Sequence, residues 1–179
     1  ENAFGISVTH KNETYNVTIN ALVVTMTITT SDQYANWITI AKACEQSATL
    51  WGGYFRLGAN ITATSMVMFN RGATVAREGF KGVFDGCGYI IDGLNRNSWD
   101  SNAFVTTMTE TGVLKNIAFT NVRITGAGNF LTSGGKGTIE NVYVQYTVIS
   151  AGSQYNGTIA NFGDGCVMRN VFVDASRAV

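Results

Sequence analysis

The chain has 179 residues, with 12 basic and 12 acidic side chains, one histidine and no proline. That length suits a single domain, which at this size buries roughly 70% of its unfolded surface and needs no metal or disulfide staple. Balanced charge argues against a nucleic-acid binder and against a polybasic membrane patch, and no apolar run approaches the ~20 residues of a membrane-spanning helix.

The remaining composition is rich in Gly, Thr, Asn and Val, as expected for many short strands joined by tight turns. Cys44, Cys87 and Cys166 are odd in number and widely spaced. They draw neither a disulfide framework nor a metal knuckle. They read as small buried thiols, with a Cys44–Cys87 bridge left open.

The chain opens on "ENAFGISVTH", as a mature or excised piece would. "KNETYNVTINALVVTMTITT" (11–30) alternates in the manner of an antiparallel edge or linker strand, and residues 1–28 are expected to be an N-terminal strand or linker outside the coils that follow. His10 has no matching Cys, Asp or second His nearby and reads as a surface histidine. Next, "SDQYANWITIAKACEQ" predicts a helix within 29–47, with Ser31 or Asp32 as N-cap. Tyr34, Trp37, Ile38, Ala41 and the Ala43–Cys44 pair stand at helical spacing. A solenoid leaves an open apolar end, and a short amphipathic helix is a common plug for one.

Residues 48–179 carry a repeat. "GVLKNIAFTN" (112–121), "GTIENVYVQY" (137–146) and "CVMRNVFVDA" (166–175) align on Asn116, Asn141 and Asn170. One further period back stands Gly93, in "YIIDGLN". Asn and Gly are the residues that most readily take a left-handed backbone, so the exchange predicts one sharp bend per repeat. Ile91, Leu114, Ile139 and Met168 precede the bend by two; Leu94, Ile117, Val142 and Val171 follow it. Both sets are apolar and expected to point inward.

Between them stand Asp92, Lys115, Glu140 and Arg169, alternating in sign. Stacked about 4.8 Å apart, each charge would lie between opposites. An exposed pair is worth about 0.2–1 kcal/mol, so the effect is on register. Phe104, Phe130 and Ile159 look like another face of the same coil. A period in the twenties without intervening helices predicts an all-β fold, a right-handed parallel β-helix with a short N-terminal capping α-helix. Nothing resembling a cap follows "NVFVDASRAV", so the solenoid is expected to be truncated or to continue.

At these residues a resemblance appears. "YFRLGANI", then "FKGVFDGCGYIIDGLN", then the repeated "F…G.I.N…V" coils resemble the GLUG-type and pectate-lyase-like right-handed β-helix modules of bacterial surface proteins. "YNVTINALVVTMTITT" is similar to the end of a bacterial immunoglobulin-like domain entering such a module. Cys87 and Gly93 depart from the family's usual asparagine, and "NAFVTTM" from its "GLFG". The resemblance implies an extracellular, cell-surface or secreted protein, often a spacer or adhesin.

Outward aromatics are the candidate ligand contacts. Asn95, Ala118, Tyr143 and Phe172 follow the bends by two, with Tyr146 and Tyr155 nearby. Such rings hold sugars by apolar contact, or else pack under a loop or a neighbouring chain. The partners expected are therefore glycans or another surface protein, with no nucleic acid and no membrane insertion.

No catalytic residue or metal site is assigned. Glycoside hydrolysis needs two carboxylates at a set separation, and Asp92 and Glu140 are instead separated by Lys115 in the ladder. Asp85, Asp100, Glu110, Asp164 and Asp174 lie near turns, and Arg123 has no acidic partner in its column. Cofactors are none, with calcium entering only if the chain were a lyase. "TSGGKGT" (132–138) lacks the spacing of a phosphate loop and reads as a corner. Asn-x-Ser/Thr triplets begin at Asn12, Asn16, Asn60 and Asn156; chance accounts for them in so Asn- and Thr-rich a chain. The longest insertion, "TATSMVMFNRGATVAREG" (62–79), is the expected place for a specific contact. The leading reading is a non-enzymatic surface scaffold; the alternatives are a β-helix lyase or hydrolase and a phage or virus receptor-binding spike.

Overall fold

The computed structural model describes residues 2–21, 23–43, 52–63, 79–96, 103–105, 107–125, 129–132, 134–149, 160 and 163–179. At the N-terminus, β1 (Asn2–His10) and β2 (Glu13–Ala21) form an antiparallel hairpin with a sheet of its own. Its two-residue turn is Lys11–Asn12, with φ of 49° and 67°. Two successive left-handed residues match the right-handed twist of the flanking strands.

The rest is a parallel β-solenoid. Its main face stacks β3 (Met26–Ile28), β4 (Tyr54–Leu57), β6 (Val83–Asp85), β9 (Val113–Ile124), β10 (Thr138–Ile149) and β11 (Val167–Asp174), in that order and all parallel. Shorter strands β5 (Ile61–Thr62), β7 (Ile90–Asp92) and β8 (Asn95–Arg96) build the further faces: β5 pairs with β7, and β7 and β8 pair with later parts of β9. Each coil returns the chain one strand spacing higher, which is how parallel neighbours are joined without crossover helices.

Met26–Ile28 overturns the expectation that everything before the helix is linker. Met26 faces Phe55 and Ile28 faces Leu57 in parallel register, so this stretch is the first rung. Alternation in "TMTITT" has the same period in parallel and antiparallel strands, and the sequence pattern alone does not distinguish them.

Helix α1 (Ser31–Ala43) falls within the expected range. Its cap is Thr30, one residue earlier than expected: Gln33 N–H donates to Thr30 Oγ1 at 3.1 Å, and Gln33 Oε1 accepts from Thr29 N at 2.7 Å. This reciprocal pairing is close to a capping box. Ser31 is used otherwise, its hydroxyl donating to Thr62 O at 2.7 Å and tying the helix to β5.

Tyr34 and Trp37 point from the helix into the core. From them a line of rings runs through the solenoid: Tyr34, Trp37, Phe84, Phe104, Phe119, Phe130 and Tyr146, with consecutive centroids 4.8–6.0 Å apart. The last four contacts are edge-to-face, a geometry worth about 0.5–1.5 kcal/mol per pair beyond area burial. Phe104 and Phe130 do form a second face, joined through Phe104 N to Phe130 O at 2.7 Å; Ile159 lies outside the described residues. The corner "TSGGKGT" is glycine-rich for close packing, since a Cβ on Gly137 would sit 2.6 Å from Gly112 O.

Trp37 touches Phe55, Phe84 and Phe104 as well as Tyr34. Truncating it therefore opens a cavity where helix and solenoid meet. Trp37→Ala is expected to cost about 3–5 kcal/mol, read as a lowered denaturation midpoint in urea with tryptophan-independent detection by circular dichroism.

Candidate functional site

The corners come first because they aim every side chain on the outer surface. Asn116, Asn141 and Asn170 have φ of 53°, 54° and 52°. Lys115 pairs with Glu140, and Glu140 with Arg169, placing these three asparagines on adjacent rungs of one column. Below Lys115 the register gives Asp85, and below Asp85, Arg56. The charge file is thus Arg56, Asp85, Lys115, Glu140, Arg169: alternation holds, with Asp85 in the place expected of Asp92.

Asp92 and Gly93 belong to the next corner. Asp92 pairs with Thr120, and Gly93 (φ 81°) stands level with Asn121 (φ 52°). The displacement has a simple origin. "VFDG" (83–86) and "IIDG" (90–93) are near-duplicates in pattern, each ending a strand on Asp-Gly. Only the length of the coil tells which one lies under Asn116. Gly86 is the one pressed there: a Cβ on it would meet Asn116 O at 2.5 Å and the Ile117 side chain at 2.4 Å.

The asparagines form a directed ladder. Asn170 Nδ2 donates to Asn141 Oδ1 at 2.9 Å, Asn141 Nδ2 to Asn116 Oδ1 at 2.9 Å, and Asn116 Nδ2 to Asp85 Oδ1 at 3.1 Å. Asp85 is only 7% exposed and collects further donors: Cys87 N at 2.9 Å, the Tyr54 hydroxyl at 2.7 Å and Lys115 Nζ at 3.5 Å. Burial alone would raise its pKa; these donors and the lysine charge outweigh it, and the carboxyl lies below its ordinary value. Asp92 anchors its own corner likewise, accepting from Thr120 Oγ1 at 2.5 Å and Asn121 Nδ2 at 2.7 Å. At the upper end Arg169 Nη2 meets Glu140 Oε2 at 3.1 Å.

Beside the ladder lies an aromatic pair. Tyr143 and Phe172 stack on adjacent rungs, centroids 5.8 Å apart and planes within 8°. Below Tyr143 the file continues with Ala118 and then Ile90, so Asn95, which pairs with Arg123, is not part of it. A small residue under a large one leaves a notch. The resulting groove, about 420 Å³, is lined by Gly88, Ala118, Tyr143 and Phe172 along one side and the three ladder asparagines along the other.

Phe172 is 64% exposed. The Tyr143 hydroxyl donates to Asp174 Oδ2 at 3.2 Å, fixing the ring. Hydrogen bonds from the Ser176 hydroxyl and backbone N–H hold Asp174 down to about 2.

Tyr146 does not join this surface. It is fully buried and closes the aromatic line against Phe130. Counting alternately from outward Tyr143 already turns position 146 inward. Tyr155 and residues 64–78 of the 62–79 insertion lie outside the described residues, as does Cys44. Cys87 and Cys166 are free thiols, and Cys87 is exposed, in contrast to the buried thiol expected. Burial of the sulfur itself and the adjacent Asp85 charge push the Cys87 thiol up, away from thiolate. Tyr54 is pushed to about 12 by burial and by its bond to Asp85. Among the described residues no group of three or more His, Cys, Asp or Glu is placed to hold a metal ion.

No protein-family model, curated protein or solved structure matches the chain.

The ladder separates two contributions that substitution can distinguish. Asn141→Gly keeps the left-handed bend and loses the two carboxamide bonds, so a loss of about 1–2 kcal/mol is expected. Asn141→Val loses the bonds and strains the backbone, adding roughly 1–2 kcal/mol more. Urea titration of both variants measures the difference. Asp85, with its folded pKa lowered, contributes stability present above the ordinary carboxylate pKa of about 4 and lost as pH falls through its folded value. The stability gap between wild type and Asp85→Asn should therefore be widest near neutrality and shrink below about pH 4, which denaturation series at stepped pH will read.

Proposed function

We propose that the chain is a non-enzymatic extracellular surface module of bacterial type, a rigid β-solenoid spacer or adhesin scaffold that holds an uncharged glycan. One observation carries this reading: a stacked, partly exposed Tyr143–Phe172 pair runs beside a rail of carboxamides in one groove. Aromatic faces take the apolar C–H side of a sugar ring, while a few placed polar groups fix its orientation. Each carboxamide has two N–H donors and two acceptor positions. Ladder bonding uses one N–H and one lone pair of Asn116 and of Asn141. That leaves one donor and one acceptor on each of these two rungs for a ligand's hydroxyls. All nine residues lining the groove are uncharged, which favours a neutral polysaccharide over an acidic one.

A lyase or hydrolase reading draws less support. A general acid needs a raised carboxyl pKa, whereas Asp85 and Asp174 are both lowered and engaged by several donors.

The test is a glycan array of neutral and acidic polysaccharides, run with and without chelator and assayed for new reducing or unsaturated ends. Wild type should retain a neutral glycan without turnover, and Tyr143→Ala and Phe172→Ala should each weaken binding about tenfold or more. Turnover, or selection of acidic glycans alone, would defeat the proposal.

A further inference from the structure

The groove beside the ladder has a recess that a plain sugar ring leaves unfilled. Tyr143 turns one face to the Phe172 ring, and its other face lies over Ala118, the next residue down the same file. A methyl side chain fills little of that level, and Gly88 beside it has no side chain at all. A Cβ built on Gly88 would meet no atom within 4 Å, so the notch is open space and not packed backbone. Ala118 and Tyr143 stand on β9 and β10, each of which has a described partner strand on both sides. The notch therefore belongs to the outer face of the solenoid and not to an end of it.

Polar groups line its other side. Asn116 and Asn141 each use one N–H and one lone pair in the ladder, leaving one donor and one acceptor apiece. A sugar hydroxyl answers with donor and acceptor on a single oxygen. A secondary amide is planar and trans, with N–H and C=O pointing in opposite directions. Amides aligned in that way repeat at about 4.8 Å, the spacing of adjacent rungs. One such amide can thus reach from Asn116 to Asn141, continuing sideways the amide-to-amide bonding of the ladder itself.

We propose that the groove selects N-acetylhexosamines. The acetamido N–H and carbonyl bridge Asn116 and Asn141, and the acetyl methyl sits over Ala118 against the uncovered face of Tyr143. This rests on the reading of the groove as a glycan site and narrows it to one substituent. A methyl placed on an aromatic face and a small apolar floor is removed from water. The hydroxyl that an unsubstituted hexose carries at the same carbon leaves the notch to solvent. A free amino sugar is disfavoured for a different reason: no carboxylate lines the groove to pair its ammonium.

The experiment titrates the full chain with matched sugars and reads affinity by calorimetry. Tri-N-acetylchitotriose is set against cellotriose, and methyl N-acetylgalactosaminide against methyl galactoside, so that each pair differs only in the acetamido group. The acetamido member is expected to bind about tenfold tighter or more, and in saturation-transfer NMR its acetyl methyl should receive the strongest transfer from the protein. Ala118→Leu fills the notch and should remove most of that preference while circular dichroism shows the fold intact. Equal or weaker binding of the acetamido sugars in both pairs would overturn the inference, as would a preference untouched by Ala118→Leu in the folded protein. The two proposals fail separately: retention of cellotriose, or of another neutral glycan without an acetamido group, sinks the selectivity and leaves the glycan site standing, whereas retention of no glycan at all sinks both.

Discussion

The left-handed corner is the constraint from which the rest of this solenoid follows. A strand that must turn within one residue requires φ near +50°, which costs an ordinary side chain roughly 1–2 kcal/mol and asparagine or glycine far less. Once three coils turn at Asn116, Asn141 and Asn170, their carboxamides come into register and bond in series. The ladder then needs an acceptor at its base, and Asp85 supplies one that is buried, ionised and held by four donors. Corner, ladder and carboxylate support one another: the bend orients the amides, the amides fix the bend, and the carboxylate gives the series its direction.

Register along the main face is thereby determined, and the core inherits it. With each coil locked to its neighbour, large rings meet in one continuous line, tilted between Trp37 and Phe84 and edge to face from Phe84 through to Tyr146 on β10. The helix closes the lower end by adding its own two rings to that line. The ion pairs, Asp85 with Lys115 and Glu140 with Arg169, are exposed to differing degrees and individually weak. Their contribution is to disfavour a slip of one coil, which would set like charges side by side.

The outer groove is a consequence of the same stacking. Because a file repeats its position on every coil, a change of residue size along it produces relief: Ala118 beneath Tyr143 makes the notch, and Phe172 above extends the wall. Among the described residues, Met168 on β11 is exposed where Leu114 and Ile139 in the same file are enclosed. Binding features on such a fold need no loop; they are differences between successive rungs.

How much of this was legible in the residues depends on range. The Asn-for-Gly exchange, the inward apolar positions and the alternating charges are local patterns, and periodicity alone exposes them: hence the parallel coils, the plugging helix with Tyr34 and Trp37, and the αL conformation at Asn116, Asn141 and Asn170. Tyr146's burial was also within reach, since it sits three residues from an outward ring. Which Asp-Gly corner underlies Asn116 was not, because "VFDG" and "IIDG" are equivalent locally and the intervening coil length is decided by how far the chain must travel around the core. Nor did alternation in "TMTITT" reveal a parallel first rung, as strand direction leaves no mark on a two-residue period. The sequence by itself determined that the chain coils and where it bends; tertiary structure alone decided which bends share a column, because that is set by distances across the coil and not by neighbours along it.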